Sequence, residues 1–83
     1  MNEQASHLFS CSMTSVDIIK FLQMIYTPEF SEVEVAINLK RDTYLPSQVA
    51  QIPKGMALVN IKVPGTMNMP VFFGNFAKAL NKK

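Results

Sequence analysis

After Asp42 the chain contains no acidic residue. All six carboxylates fall in residues 1–42 beside three bases, whereas residues 43–83 hold five lysines, so the two halves carry −3 and +5 within a total of +2. A carboxyl-free half of that length is an electrostatic footprint for phosphate or for an acidic protein surface. Cysteine is nearly as scarce. Cys11 stands alone, so no intramolecular disulfide can form, and no charged leader followed by a long apolar run begins the chain; a reducing, cytoplasmic compartment is the expectation. Long apolar runs are missing as well, because Lys20 and Gln23 interrupt the most apolar segment, and no membrane span is expected.

The groups that carry chemistry are also lacking. There is no nucleophile paired with a base, no cluster of metal ligands and no phosphate-binding glycine loop, so neither an enzyme nor a cofactor, metal or small-molecule substrate is expected. His7 and Cys11 are each the sole residue of their kind and have no ligand-like companions nearby, which favours an edge histidine and a buried thiol over a metal site. Glu32 and Glu34 are spaced for acid–base work, but nothing else converges on them, and a solvated strand face is the commoner use of that pattern.

What is present is globular. At 83 residues, 48% hydrophobic and 17% charged, the chain makes one domain over residues 1–83, with a polar, frayed stretch at 1–6. A domain of this size buries only roughly 60–65% of its unfolded surface. So apolar a composition on so much surface leaves self-association into a homodimer open.

The segment Lys54 to Val63, KGMALVNIKV, alternates Ala57, Val59, Ile61 and Val63 against Met56, Leu58, Asn60 and Lys62, the period of a strand. Its first set suits a core. The second mixes two large apolar side chains with an amide and an ammonium, which points to a contact surface. EVEVAINLK at 32–40 reads the same way, with Val33, Val35, Ile37 and Leu39 inward and Glu32, Glu34, Ala36 and Asn38 outward. HLFSCSM at 7–13 predicts a short first strand, and its periodicity puts Phe9, Cys11 and Met13 on one face.

Two helices complete the pattern. Thr14 or Ser15 can cap a helix running to about Tyr26, with Asp17 in its first turn complementing the dipole and Thr27-Pro28 ending it. Its apolar surface exceeds what one sheet face can cover, so a neighbouring helix and loop, or a partner subunit, must finish the burial. Asn68 can cap a second helix with Pro70 in its first turn and Phe73, Phe76, Ala77 and Leu80 on one face; Gly74 weakens this pattern, and a strand at 71–73 leading into a shorter helix is the alternative. Between the second and third strands, RDTYLPSQVAQIPKG at 41–55 reads as a long connection carrying Arg41, Tyr44 and Lys54, which together can embrace a phosphate and a base.

The expectation is an α+β fold of order β-α-β-β-α: a three-stranded antiparallel sheet with both helices on one face, the ferredoxin-like split unit without its last strand, leaving one edge bare. At this point the residues resemble the RNA-recognition motif family. KGMALVNI at 54–61 is similar to that family's octapeptide, matching it at Lys54, Gly55, Ala57 and Val59, while LFSCSM at 8–13 falls where its hexapeptide sits. The resemblance implies single-stranded RNA binding on the open sheet face through Phe9, Met56, Leu58, Arg41, Lys54 and Lys62, with Phe9 stacking outward. Met56 and Leu58 stand where the family's aromatics would be, and stacking is worth roughly 1–3 kcal/mol per base.

Two functions from different classes are therefore expected. The favoured one is a non-catalytic interaction module, a small regulator or inhibitor of the kind phages and mobile elements encode, an origin that no residue carries. It would bind a partner protein through Met56, Leu58, Asn60, Lys62, Arg41, Tyr44 and Lys54, or through the bare strand edge. The alternative is the RNA or single-stranded nucleic-acid binder.

Overall fold

Alternation builds the sheet, and the helix caps fix what covers it. In the computed structural model, which describes residues 5–82, β1 (His7–Thr14) pairs antiparallel with β4 (Met56–Val63) over its whole length, from His7 opposite Val63 to Thr14 opposite Met56. β2 (Glu34–Leu39) pairs antiparallel with the other side of β4, Glu34 facing Lys62 and Asn38 facing Leu58. A short β3 (Asp42–Tyr44) folds back on β2. The strand order is β1-β4-β2-β3. Residues 1–4 of the stretch expected to fray lie outside the described residues.

The expected three-stranded sheet is thus four-stranded, and the added strand comes from the segment read as a long connection. Its turn is Lys40-Arg41, with Lys40 at φ 59°. That left-handed conformation is usually signalled by Asn-Gly or Asp-Gly, which this sequence lacks, so the hairpin has no turn signature. The remainder of the connection winds into a 3-10 segment over Pro46–Gln51. β2 begins at Glu34 rather than Glu32, which belongs to the preceding turn.

Both helices start on the predicted caps. The Asp17 backbone N–H donates to the Thr14 hydroxyl oxygen at 3.1 Å, opening α1 (Ser15–Ile25), and the Val71 N–H donates to the Asn68 side-chain oxygen at 3.2 Å, opening α2 (Met69–Leu80). Each satisfies an N–H that the helix itself leaves without a partner. After Tyr26 the chain passes through a 3-10 turn at Pro28–Phe30.

The core lies between the helices and one sheet face. Met13, Val35, Ile37, Ala57, Val59, Ile61 and Val63 are buried there against Ile18, Phe21, Leu22, Ile25 and Phe72. Phe21 and Phe76 approach to 4.8 Å between ring centroids, and Phe30 meets the Phe72 ring edge at 5.8 Å. Fully burying a side chain of this size is worth about 1.5–3 kcal/mol, so this layer is the chief source of stability.

The second helix is rotated from the expected phase. Phe72 and Ala79 are buried with Phe76 half-buried, while Phe73 and Ala77 are exposed. Residues 72, 76 and 79 fit a helical stripe as well as 73, 76, 77 and 80 do, and packing of Phe72 against Phe21 and Phe30 selects the first. The result is an α+β fold with an antiparallel four-stranded sheet and two helices, compatible with a ferredoxin-like arrangement. Among the described residues no helix is long and apolar enough to cross a membrane.

Candidate interaction surface

Since both helices pack on one face, the other side of the sheet is open, and the registers give its rows. Leu8, Lys62 and Glu34 form one row, Ser10, Asn60 and Ala36 the next, and Ser12, Leu58, Asn38 and Thr43 a third. The strand period brings these alternate side chains to the same side. Thr14 and Met56 lie opposite each other beyond them.

The middle of this face is polar and internally bonded. The Ser10 hydroxyl donates to the Asn60 side-chain oxygen at 2.7 Å, and the Thr43 hydroxyl donates to that of Asn38 at 2.7 Å. At one end Lys62 and Glu34 are 3.8 Å apart, both well exposed. Such a surface pair adds little stability, but it offsets the charge of Lys62 on the open face. A shallow groove of about 570 Å³ runs between Leu8 and Leu45, over Ser10, Asn60 and Ala36 and beside the Lys62–Glu34 pair.

The opposite end has a different character. Met56 and Leu58 are 54% and 45% exposed. Because Asn38 faces Leu58, the Lys40-Arg41 turn lies beyond Leu58 towards the start of β4, where Lys54 precedes Met56. Arg41, Lys54, Met56 and Leu58 therefore share one end of the sheet. This end combines apolar contact with positive charge.

The remaining candidates fall elsewhere. Tyr44 pairs with Ile37 on the helix side and packs partly buried against the core, so it is the cover of its own loop and not part of the open face. Phe9 is likewise on the helix side, half-buried with Cys11, and meets Phe73 at 5.3 Å. This corrects the outward placement that the RNA-recognition motif implies: periodicity, and not motif position, sets its direction. Of the carboxyl-half lysines, Lys78 and Lys82 belong to α2 and its end, on the far side of the sheet from Lys62. Among the described residues no group of three His, Cys, Asp or Glu side chains is arranged to hold a metal.

Leu8, 74% exposed, was absent from the candidate residues, although the alternation that turns Phe9 inward turns Leu8 outward. Leu45 was hidden by the unrecognised hairpin. On α1 and its C-cap, Val16, Ile19 and Tyr26 remain exposed, the part of its apolar surface that neither α2 nor a loop covers. Comparison with protein-family models, curated proteins and solved structures gave no match.

Proposed function

We propose that the chain is a non-catalytic interaction module, a small regulator or inhibitor that binds a partner protein through the open sheet face. The observation that carries this reading is the end of that face where exposed Met56 and Leu58 lie beside Arg41 and Lys54. Apolar contact with two cations at the same end of the sheet fits a partner surface of apolar and acidic residues, because burial supplies affinity while charge steers the encounter and excludes wrong partners. We read the fold as the split β-α-β unit, with the outer side of β1 unpaired among the described residues.

Nucleic acid is the second reading, favoured by Arg41 and Lys54. Against it, no described aromatic side chain lies on the open face, and its central amides and hydroxyls already bond one another. A base there would find no ring to stack on.

Titration with fluorescent single-stranded RNA and DNA over a salt series separates the two. The protein-binding reading expects no saturable binding at low salt. It is overturned by tight binding whose logarithm falls against log salt with a slope of about −2 to −3.5, the signature of roughly three to five phosphate contacts.

A further inference from the structure

β1 pairs with β4 along one side for eight residues and, among the described residues, has no strand on the other. In an antiparallel ladder alternate residues direct their N–H and C=O groups to each side, so half of the β1 backbone groups face outward. Sheet edges are usually blunted by lysine, proline or a bulge. β1 has none of these: HLFSCSMT contains no proline, acid, lysine or arginine, and its register with β4 is unbroken. The opposite edge is short and carries Asp42 beside the Lys40-Arg41 turn. Apolar side chains also flank the β1 edge on both faces, Leu8 on the open side and Phe73 over Phe9 on the helix side.

We infer that a second copy of this chain occupies the edge, β1 pairing antiparallel with its own equivalent about a two-fold axis. Such an axis perpendicular to the sheet keeps each face on its own side, so the ladder is centred on Ser10 or on Cys11. With either centre Phe9 faces Cys11 or Met13 of the other copy and Leu8 faces a hydroxyl residue, so no like charges meet. A strand without charges of its own offers nothing to select an acidic or basic peptide, whereas it is complementary to itself. Eight residues at about 3.4 Å each, multiplied by the smallest molecular extent of 19 Å, bound the edge footprint at about 500 Å² per copy, so contact through the whole thickness of the edge brings the total to the about 1,000 Å² at which specific interfaces begin. The product is one continuous sheet with two open faces side by side. This deepens the interaction-module reading, on which it rests, by naming the edge's occupant; the partner of the open face is a separate question.

The test is light scattering on the reduced, purified protein from micromolar to millimolar concentration. The expected mass rises from 9.3 kDa to twice that value. Ser10→Lys/Ser12→Lys and Ser10→Glu/Ser12→Glu double variants, with unchanged circular dichroism, are each expected to stay monomeric, because either centre sets position 10 against position 10 or 12 of the other copy. Mixed, they regain the dimer mass. Thr43→Lys, on the β3 edge, dimerises as the parent does. A monomer at every concentration overturns the assignment and leaves the edge to a strand of another protein. So does a parent-like dimer in the charged variants, failure of the folded variants to associate when mixed, or loss of the dimer in Thr43→Lys. None of these outcomes bears on the nucleic-acid titration, which tests the open face alone.

Discussion

Phe9 and Phe73 meet edge to face, ring centroids 5.3 Å apart, at the margin where β1 has no outer neighbour among the described residues. The contact joins the second helix to the edge strand and leaves Phe73 45% exposed. Among the described residues no strand covers this ring. The seam between β1 and α2 is therefore apolar and partly open.

The phase of α2 makes Phe72 and Phe73 energetically unequal. Phe72 is fully buried among Phe21, Phe30 and Phe76. Phe72→Ala is expected to cost about 3–5 kcal/mol in urea unfolding and Phe73→Ala about 1 kcal/mol. Equal losses would contradict the rotation described for this helix.

The two faces of β4 should separate in the same way. Leu58→Ser on the open face is expected to change stability by no more than about 0.5 kcal/mol, and Ile61→Ala on the core face to lower it by about 2–4 kcal/mol. Denaturant midpoints at unchanged m-value measure both. A Leu58→Ser variant that unfolds would place that side chain in the core and remove the candidate surface.

Gly55 precedes β4 at φ 141°, a conformation that side chains rarely adopt, and its carbonyl accepts the Ser15 N–H at 3.1 Å where α1 begins. A Cβ there meets nothing within 4 Å, so any cost comes from the backbone. Gly55→Ala is expected to lose about 1–2 kcal/mol of stability although no contact is broken. A neutral outcome in thermal unfolding would show the turn to be unstrained.

Lys40 holds the left-handed position of the β2–β3 hairpin. For an L-residue this costs roughly 1–2 kcal/mol, of which glycine returns part through its freer unfolded chain. Lys40→Gly is accordingly expected to stabilise by about 0.5 kcal/mol, read as a rise in the urea midpoint. A fall would mean that the Lys40 side chain makes a contact worth more than the strain.

The elements that sequence alone disclosed are those whose signals are local. Thr14 and Asn68 announce helix starts by accepting the N–H three residues on, from Asp17 and Val71, and Pro70 fits a first turn that needs no N–H there. Alternation around Val35, Ile37, Val59 and Ile61 discloses the buried sheet face. Two features escaped for opposite reasons. β3 was hidden because Lys40-Arg41 has no turn signature, while α2 offered too many signals, its consecutive phenylalanines fitting two helical phases that only packing against Phe21 and Phe30 distinguishes. The candidate surface was half legible: Met56 and Leu58 follow from the period of β4, whereas bringing Arg41 beside Lys54 needs the β2–β4 register. Tyr44 left the site because its pairing with Ile37 turns it to the core, and Phe9 because the alternation of β1, legible in the sequence, overrides its motif position.

Amide hydrogen exchange along β1 tests most directly the claim that its free edge is a pairing surface. At micromolar concentration alternate amides between His7 and Thr14, those turned away from β4, should exchange rapidly while their neighbours are protected. On concentration to the millimolar range the fast set should slow towards its neighbours, with the β3 amides unchanged. Fast exchange at alternate β1 positions at every concentration, or slowing at β3 instead, would contradict the account.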